Sequence, residues 1–178
     1  MAHNFLLTLG FLLFASSSFA IQVVELDHIC KKTQDPTFCF NLLSSKPGGI
    51  IGTDLIDLTQ YALDVTRVNI TTTTKLIKRL IRINHNNLEA KDHYTICLNQ
   101  IHMGALTKVE STQEILKSGD YRDLNVVASG IRTYIELCID GESPTDTPYN
   151  DTSLLPTYAN DISQVVDIIL GIANILCK

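Results

Sequence analysis

Five cysteines are the most reactive side chains in this sequence, and their spacing limits what they can do. Cys30 and Cys39 lie nine residues apart, with Thr33 and Pro36 between them, which predicts a short hairpin closed by a disulfide bond. A zinc site is the alternative use of cysteines, but the sequence has neither a C-x-x-C pair nor Cys and His grouped at ligand spacing. Disulfide formation is therefore the predicted chemistry, and the odd count leaves one thiol over.

The other residue types that carry catalysis form no recognisable motif. The five histidines include no H-E-x-x-H, and His93 and His102 are nine apart on one predicted helix, which turns them about 180° from each other. The segment 47–52 lacks the Gly-Lys-Ser/Thr ending of a phosphate loop, and there is no G-x-S-x-G. No catalytic residue, metal ion or cofactor is predicted.

Two glycosylation sequons are present, with Asn69 and Asn150 as the candidate acceptors. Asn150 falls in a polar loop that contains prolines, where an acceptor would be accessible. Asn69 falls within a predicted helix.

The N-terminus predicts passage through the secretory route. The apolar run over residues 5–14 is short for a bilayer and is followed by Ser18-Phe19-Ala20, whose small residues suit a signal peptidase. We expect a signal peptide over residues 1–20 and a single domain over residues 21–178. A membrane anchor or a buried N-terminal helix would be the alternative, and the short run favours secretion. The oxidising route agrees with the predicted disulfides.

Charge and hydropathy exclude several classes of partner. Fourteen Lys and Arg against nineteen Asp and Glu give a net charge of −5, without a basic block for nucleic acid or an anionic membrane. No second apolar run is long and charge-free enough to cross a bilayer, so the mature chain is expected to be soluble. Because Trp is absent, the core is expected to be aliphatic.

Four amphipathic segments predict an all-α fold, an up-and-down antiparallel four-helix bundle over about residues 53–177. The disulfide-closed hairpin precedes it over about residues 21–50. The first bundle helix is expected to continue through the four threonines of 71–74 as far as Ile83, although their low helix propensity would also allow a kink or break there. The second runs from about Leu88 to Leu116, the third follows Gly119, and the fourth is expected to be capped within 157–161.

Counting residues from the turn at Gly119 predicts the second disulfide. Cys97 lies 22 residues before the turn and Cys138 lies 19 after it. In antiparallel helices that rise ~1.5 Å per residue, the two cysteines differ by roughly 4–5 Å in height, which a modest stagger can bridge. We therefore pair Cys97 with Cys138 and Cys30 with Cys39, which leaves Cys177 as the free thiol.

A set of residues along the mature chain forms a larger pattern. It consists of the Cys30-x-x-Thr33-x-x-Pro36-x-x-Cys39 opening, Tyr94 before Cys97, the stretch 119–125, Ser129, and the ending Cys138-Ile139-Asp140-Gly141. Together these resemble the plant invertase and pectin methylesterase inhibitor family over essentially the whole mature chain. The resemblance implies a secreted or vacuolar protein that plugs the substrate cleft of a carbohydrate-active enzyme. Such an inhibitor needs no catalytic residue of its own.

By the same resemblance, the turn between the second and third bundle helices selects the target, with Asp120, Tyr121 and Arg122 as candidate target-binding residues. Invertase inhibitors carry Pro-Lys-Phe after Gly-Asp, whereas this chain continues Tyr121-Arg122-Asp123. The Asp-Tyr form is more like the inhibitors of pectin methylesterase, which we expect as the partner, in the cell wall (apoplast) or else the vacuole. The alternatives are inhibition of an acid invertase (β-fructofuranosidase) and a non-inhibitory secreted bundle, such as an allergen-like or signalling module.

Overall fold

The computed structural model describes residues 23–141 and 148–177, and every regular element in those ranges is helical. The predicted signal peptide lies outside the described residues. In chain order the helices are α1 (Val23–Cys30), α2 (Pro36–Ser44), α3 (Leu55–Ile83), α4 (Leu88–Leu98), a π-helical segment (Asn99–Ala105), α5 (Leu106–Ser118), α6 (Leu124–Asp140) and α7 (Leu155–Leu176). The segment from α4 through α5 is one continuous rod. Together with α3, α6 and α7 it confirms the predicted four-helix bundle.

Helices α1 and α2 form the predicted N-terminal hairpin. Cys30 and Cys39 are disulfide-bonded, with their Cα atoms 5.4 Å apart. The side chain of Asp35 accepts a hydrogen bond from the backbone N–H of Phe38 (2.9 Å) and so caps α2, with Pro36 in its first turn. The hairpin packs on one end of the bundle through a small apolar cluster of its own: Leu26, Ile29, Cys30, Cys39, Leu43, Leu58, Ile168 and Ile172.

Helix α3 runs unbroken through the four threonines to Ile83, which confirms the predicted continuation, and no break occurs at 71–74. The hydroxyls of Thr71, Thr72 and Thr73 donate to carbonyls four residues earlier, at 2.8, 3.0 and 2.8 Å. Their polar groups are thereby satisfied within the helix. Ile70 and Ile77 are fully buried on the same helix, and this packing outweighs the weak helix propensity of threonine.

Side-chain caps set the helix boundaries, one of which differs from expectation. Asp54 caps α3 and Asn87 caps α4, each accepting from a backbone N–H three residues ahead (2.8 and 3.2 Å). Helix α7 begins at Leu155, earlier than the predicted cap at 157–161. The hydroxyl of Ser153 accepts from the N–H of Leu155 (3.0 Å), and Pro156 fits the first turn because a missing N–H is harmless there.

Helix α7 is the most buried element of the bundle. It packs against α3, α6 and the hairpin. Its buried residues are Leu155, Ala159, Ile162, Val165, Val166, Ile168, Ile169, Gly171, Ile172 and Ala173. Among the described residues, α7 is the one helix that is long and apolar enough to cross a bilayer. It was not identified as such from the sequence. Half of its most apolar stretch is buried inside the protein, as expected for the core helix of a bundle.

The π-helical segment brings Gly104 against the ring of Tyr134 on α6. A methyl group added at Gly104 would overlap that ring. Tyr134 itself is half-buried and packs against the main core. The Tyr134 ring therefore occupies space that is available only because residue 104 has no side chain.

We expect Gly104→Ala to lower the free energy of unfolding by about 1–3 kcal/mol, because the added methyl group overpacks this contact. Gly130→Ala is the matched control. A methyl group there meets the flexible side chain of Lys108, its Cδ at 3.1 Å, and gains up to about 1 kcal/mol of helix propensity. Urea unfolding of the oxidised proteins measures both variants. Equal stabilities would show that the Tyr134 ring does not depend on the glycine.

Candidate functional site

The candidate site is the turn over residues 119–123, which joins α5 to α6 and is called here the 119–123 turn. Gly119 has a φ of +77°, the left-handed conformation that ends a helix and that glycine adopts without strain. The hydroxyl of Ser118 donates to the carbonyl of Ile115 (2.9 Å), satisfying one of the last acceptors of α5. The end of α5 and the first residue of the turn therefore have a well-defined backbone conformation.

The three candidate residues of this turn take different positions. Tyr121 is half-buried against the main core, and its carbonyl accepts from the N–H of Leu124 (3.3 Å) and from the thiol of Cys177. The side chain of Arg122 is 86% exposed and that of Asp120 is 52% exposed, with Arg122 Nε 3.4 Å from Asp120 Oδ1. An exposed pair of this kind is worth little, so both charges can re-pair with a partner at small cost.

A shallow open depression of about 450 Å³ lies beside the turn, lined by residues 118–122, Leu176 and the exposed free Cys177. It presents a cation and an anion next to apolar surface, a combination suited to contact with another protein. Within the described residues, no three His, Cys, Asp or Glu side chains come together as a metal site.

At the other end of the bundle, Cys97 on α4 and Cys138 on α6 are disulfide-bonded, with their Cα atoms 4.3 Å apart. Both residues are buried. The bond therefore joins the two rods that the 119–123 turn connects, and it does so near their far ends.

Next to that disulfide lies a polar cluster that sequence reasoning missed, composed of His93, Tyr94, Tyr149 and Asp151 and called here the 93–151 cluster. The carboxylate of Asp151 accepts from the hydroxyl of Tyr94 (2.9 Å) and the N–H of Ser153 (2.8 Å). Its other oxygen is 3.6 Å from His93 Nε2, and the His93 ring stacks on Tyr149 with centroids 4.5 Å apart. These contacts hold the loop before α7 against α4.

Burial dominates the electrostatics of this cluster. It lowers the pKa of His93, while the neighbouring carboxylate of Asp151 acts in the opposite direction with less effect. Burial also raises the pKa of Tyr94 to about 12, so its hydroxyl stays protonated and able to donate. A buried tyrosine needs a hydrogen-bond partner, so the position of Tyr94, three residues before the buried Cys97 on the same helix, is the signal from which the cluster could have been inferred.

The two sequon asparagines occupy different settings. Asn69 lies within α3 and is half-buried, whereas Asn150 is exposed in the loop before α7.

Sequence comparison finds one family whose profile matches residues 25–172, described as "Plant invertase/pectin methylesterase inhibitor". The chain is 32% identical to "Pectinesterase inhibitor 1" of Arabidopsis thaliana over 138 residues, 78% of this chain and 76% of that protein. It is 26% identical to "Pectinesterase inhibitor" of Actinidia deliciosa over 155 residues, 85% of this chain and 78% of that protein.

Comparison with solved structures gives the same result. A mutant form of a pectin methylesterase inhibitor from Arabidopsis matches with a TM-score of 0.68 and 26% identity, covering 84% of this chain and 95% of that one. A second structure, of a pectin methylesterase inhibitor from Arabidopsis thaliana, matches with a TM-score of 0.61 and 25% identity, covering 89% and 99%.

The lowered pKa of His93 predicts that acid weakens the fold. The unfolded chain, whose histidine has a pKa of about 6.5, binds this proton more readily than the folded state. The contribution to the free energy of unfolding is therefore fully present above that pH and is lost as the pH falls through the lower pKa of the folded state. Urea unfolding between about pH 7.5 and about pH 5 should show a shallower decrease for His93→Gln than for the wild type.

The matched control is His85→Gln, since His85 is solvent-exposed just after α3. That variant should keep the wild-type pH dependence. A wild-type stability that rises on acidification would mean that attraction to Asp151 outweighs burial, and the prediction would be wrong.

Proposed function

The chain belongs to the plant invertase/pectin methylesterase inhibitor family, a family of inhibitors rather than enzymes, and we propose that it inhibits a pectin methylesterase by covering the substrate cleft in a protein–protein complex. The observation that carries the proposal is the 119–123 turn. It is rigidly anchored by Tyr121 and presents the side chains of Asp120 and Arg122 to solvent.

Two observations favour the esterase over an invertase as the target. The relatives to which the chain is similar are named as inhibitors of pectinesterase. The 119–123 turn also lacks the Pro-Lys-Phe of the invertase inhibitors that it otherwise resembles, and Asp123 adds a negative charge at the corresponding place.

Rigidity is what an inhibitor of this kind requires from its scaffold. Each side chain or loop that becomes ordered on binding subtracts from the affinity, so a pre-ordered surface binds more tightly. The disulfides Cys30–Cys39 and Cys97–Cys138 and the aliphatic core provide that order before the target arrives. A stable interface uses about 20–30 residues on each side, so the turn can supply only part of it. We assign the remainder to the adjoining faces of α5 and α6.

The proposal includes the cellular location. Residues 1–20 would direct secretion as a cleaved signal peptide, and residues 21–178 would act in the cell wall as one domain. The two disulfides support an oxidising compartment.

We expect the purified mature protein to abolish the activity of plant pectin methylesterases at mildly acidic pH and to leave acid invertase unaffected. Ester hydrolysis and sucrose hydrolysis are the two readouts, and size-exclusion chromatography detects the complex. Reduced and alkylated protein is the control, since it lacks the ordered surface. Loss of invertase activity alone would contradict the proposed target, and no effect on either enzyme would contradict inhibition.

Arg122→Glu should weaken inhibition of the esterase by roughly tenfold or more, the range of a central interface residue (about 1.4 kcal/mol per tenfold). Arg82→Glu makes the same charge change on an exposed arginine at the opposite end of the bundle and should leave inhibition unchanged. The inhibition constant and the unfolding free energy are measured for both variants. Equal inhibition by the two would remove the 119–123 turn from the interface.

Tyr121→Ala is less informative alone, because Tyr121 also packs against the core. A maleimide on the exposed Cys177, which contacts the carbonyl of Tyr121, probes the same place without a substitution. It should weaken inhibition, and the Cys177→Ser protein treated in the same way should be unaffected.

A further inference from the structure

We infer that Asn150 carries an N-linked glycan in the mature protein and that Asn69 does not. Both residues stand in the sequon N-x-[ST], so the sequence alone does not separate them. The structure does, because it places the two sequons in different backbone environments. The inference rests on secretion, which is part of the proposed function, but not on the choice of target enzyme.

The Asn150 sequon lies on the outside of a short loop. Asn150 and Thr152 are exposed, while the side chain of Asp151 between them is 4% exposed and points into the 93–151 cluster. The N–H of Asp151 donates to the carbonyl of Tyr149 (2.8 Å), which forms a tight bend centred on Asn150. The acceptor amide and the hydroxyl of the sequon are thus presented to solvent while the middle residue anchors the loop.

The Asn69 sequon is held in the middle of the 29-residue helix α3. Residues two apart on a helix do not face each other, so the hydroxyl of Thr71 is directed away from the Asn69 amide. That hydroxyl is also engaged with the carbonyl of Arg67 (2.8 Å). Asn69 is half-buried, which leaves a bulky glycan less room than at the exposed Asn150.

The modification is a group transfer from a lipid-linked oligosaccharide pyrophosphate. The amide nitrogen of Asn150 forms a bond to the anomeric carbon of the first sugar, and the bond from that carbon to the pyrophosphate oxygen breaks. The amide loses one proton, and the lipid pyrophosphate leaves. No oxidation or reduction takes place.

The position of the glycan is compatible with target binding. Asn150 lies at the end of the bundle where α6 finishes and α7 begins, and the 119–123 turn lies at the opposite end. The two are separated by the length of α6, 17 residues or about 25 Å. A glycan on Asn150 therefore leaves the turn accessible.

The test is expression of the full chain in a yeast secretory host, with a parallel version in which residues 21–178 follow a leader of that host. Intact mass is measured before and after an amidase that releases N-glycans and converts the acceptor to aspartate. We expect one glycan, lost in Asn150→Gln and Thr152→Ala but kept in Thr152→Ser. The matched controls Asn69→Gln and Thr71→Ala should keep it, and Asn150→Gln should inhibit the esterase as the wild type does.

The outcomes separate the inference from the proposals on which it draws. A secreted product without glycan, or a glycan that maps to Asn69, would overturn the inference. A glycan on the version with the host leader, together with failure of the native chain to be secreted, would support the acceptor assignment and refute the predicted signal peptide. A glycosylated protein that inhibits neither enzyme would support the inference while removing the proposed target.

Discussion

The burial of helix α7 is the constraint on which the remaining structure depends. It packs against α3, α6 and the N-terminal hairpin, so one aliphatic surface completes both the main core and the smaller cluster under the hairpin. Because fully burying a single Val, Leu or Ile side chain stabilises a protein by about 1.5–3 kcal/mol, removing α7 from its neighbours would expose more apolar surface than the fold could tolerate.

The two ends of the bundle have different characters. One end carries the 119–123 turn, the hairpin and Cys177, and the side chains of Asp120 and Arg122 are exposed there. The other end carries the Cys97–Cys138 disulfide and the 93–151 cluster, whose polar groups are committed to one another. Under the proposed function, stability and target binding would therefore depend on opposite ends of the long axis. Substitutions at the turn would then alter binding without disturbing the polar contacts that hold the loop before α7.

The helical fold and its hairpin could be predicted because amphipathic spacing, cysteine spacing and turn residues agree with one another. Threonines 71–74 left a kink or break open in that prediction, and the helix continues through them because tertiary burial outweighs intrinsic propensity. The start of α7 at Leu155 was missed because proline was taken as loop rather than as a first-turn residue. The contact of Tyr94 with Asp151 joins residues 57 apart and has no periodic signature. The packing of Tyr121 against the main core could not be predicted, because it depends on how the helices are arranged in three dimensions.

The disulfide Cys97–Cys138 has a consequence for proteolysis. It closes a covalent ring with a sequence separation of 41 residues, and the exposed 119–123 turn is the part of that ring most accessible to a protease. A single cut there would not release a fragment, because the two pieces would stay linked through sulfur and packed through α5 and α6. A nicked molecule would keep both pieces and most of its core. It would lose only the continuity of the turn, so the cut would damage the proposed binding surface before it damaged the fold.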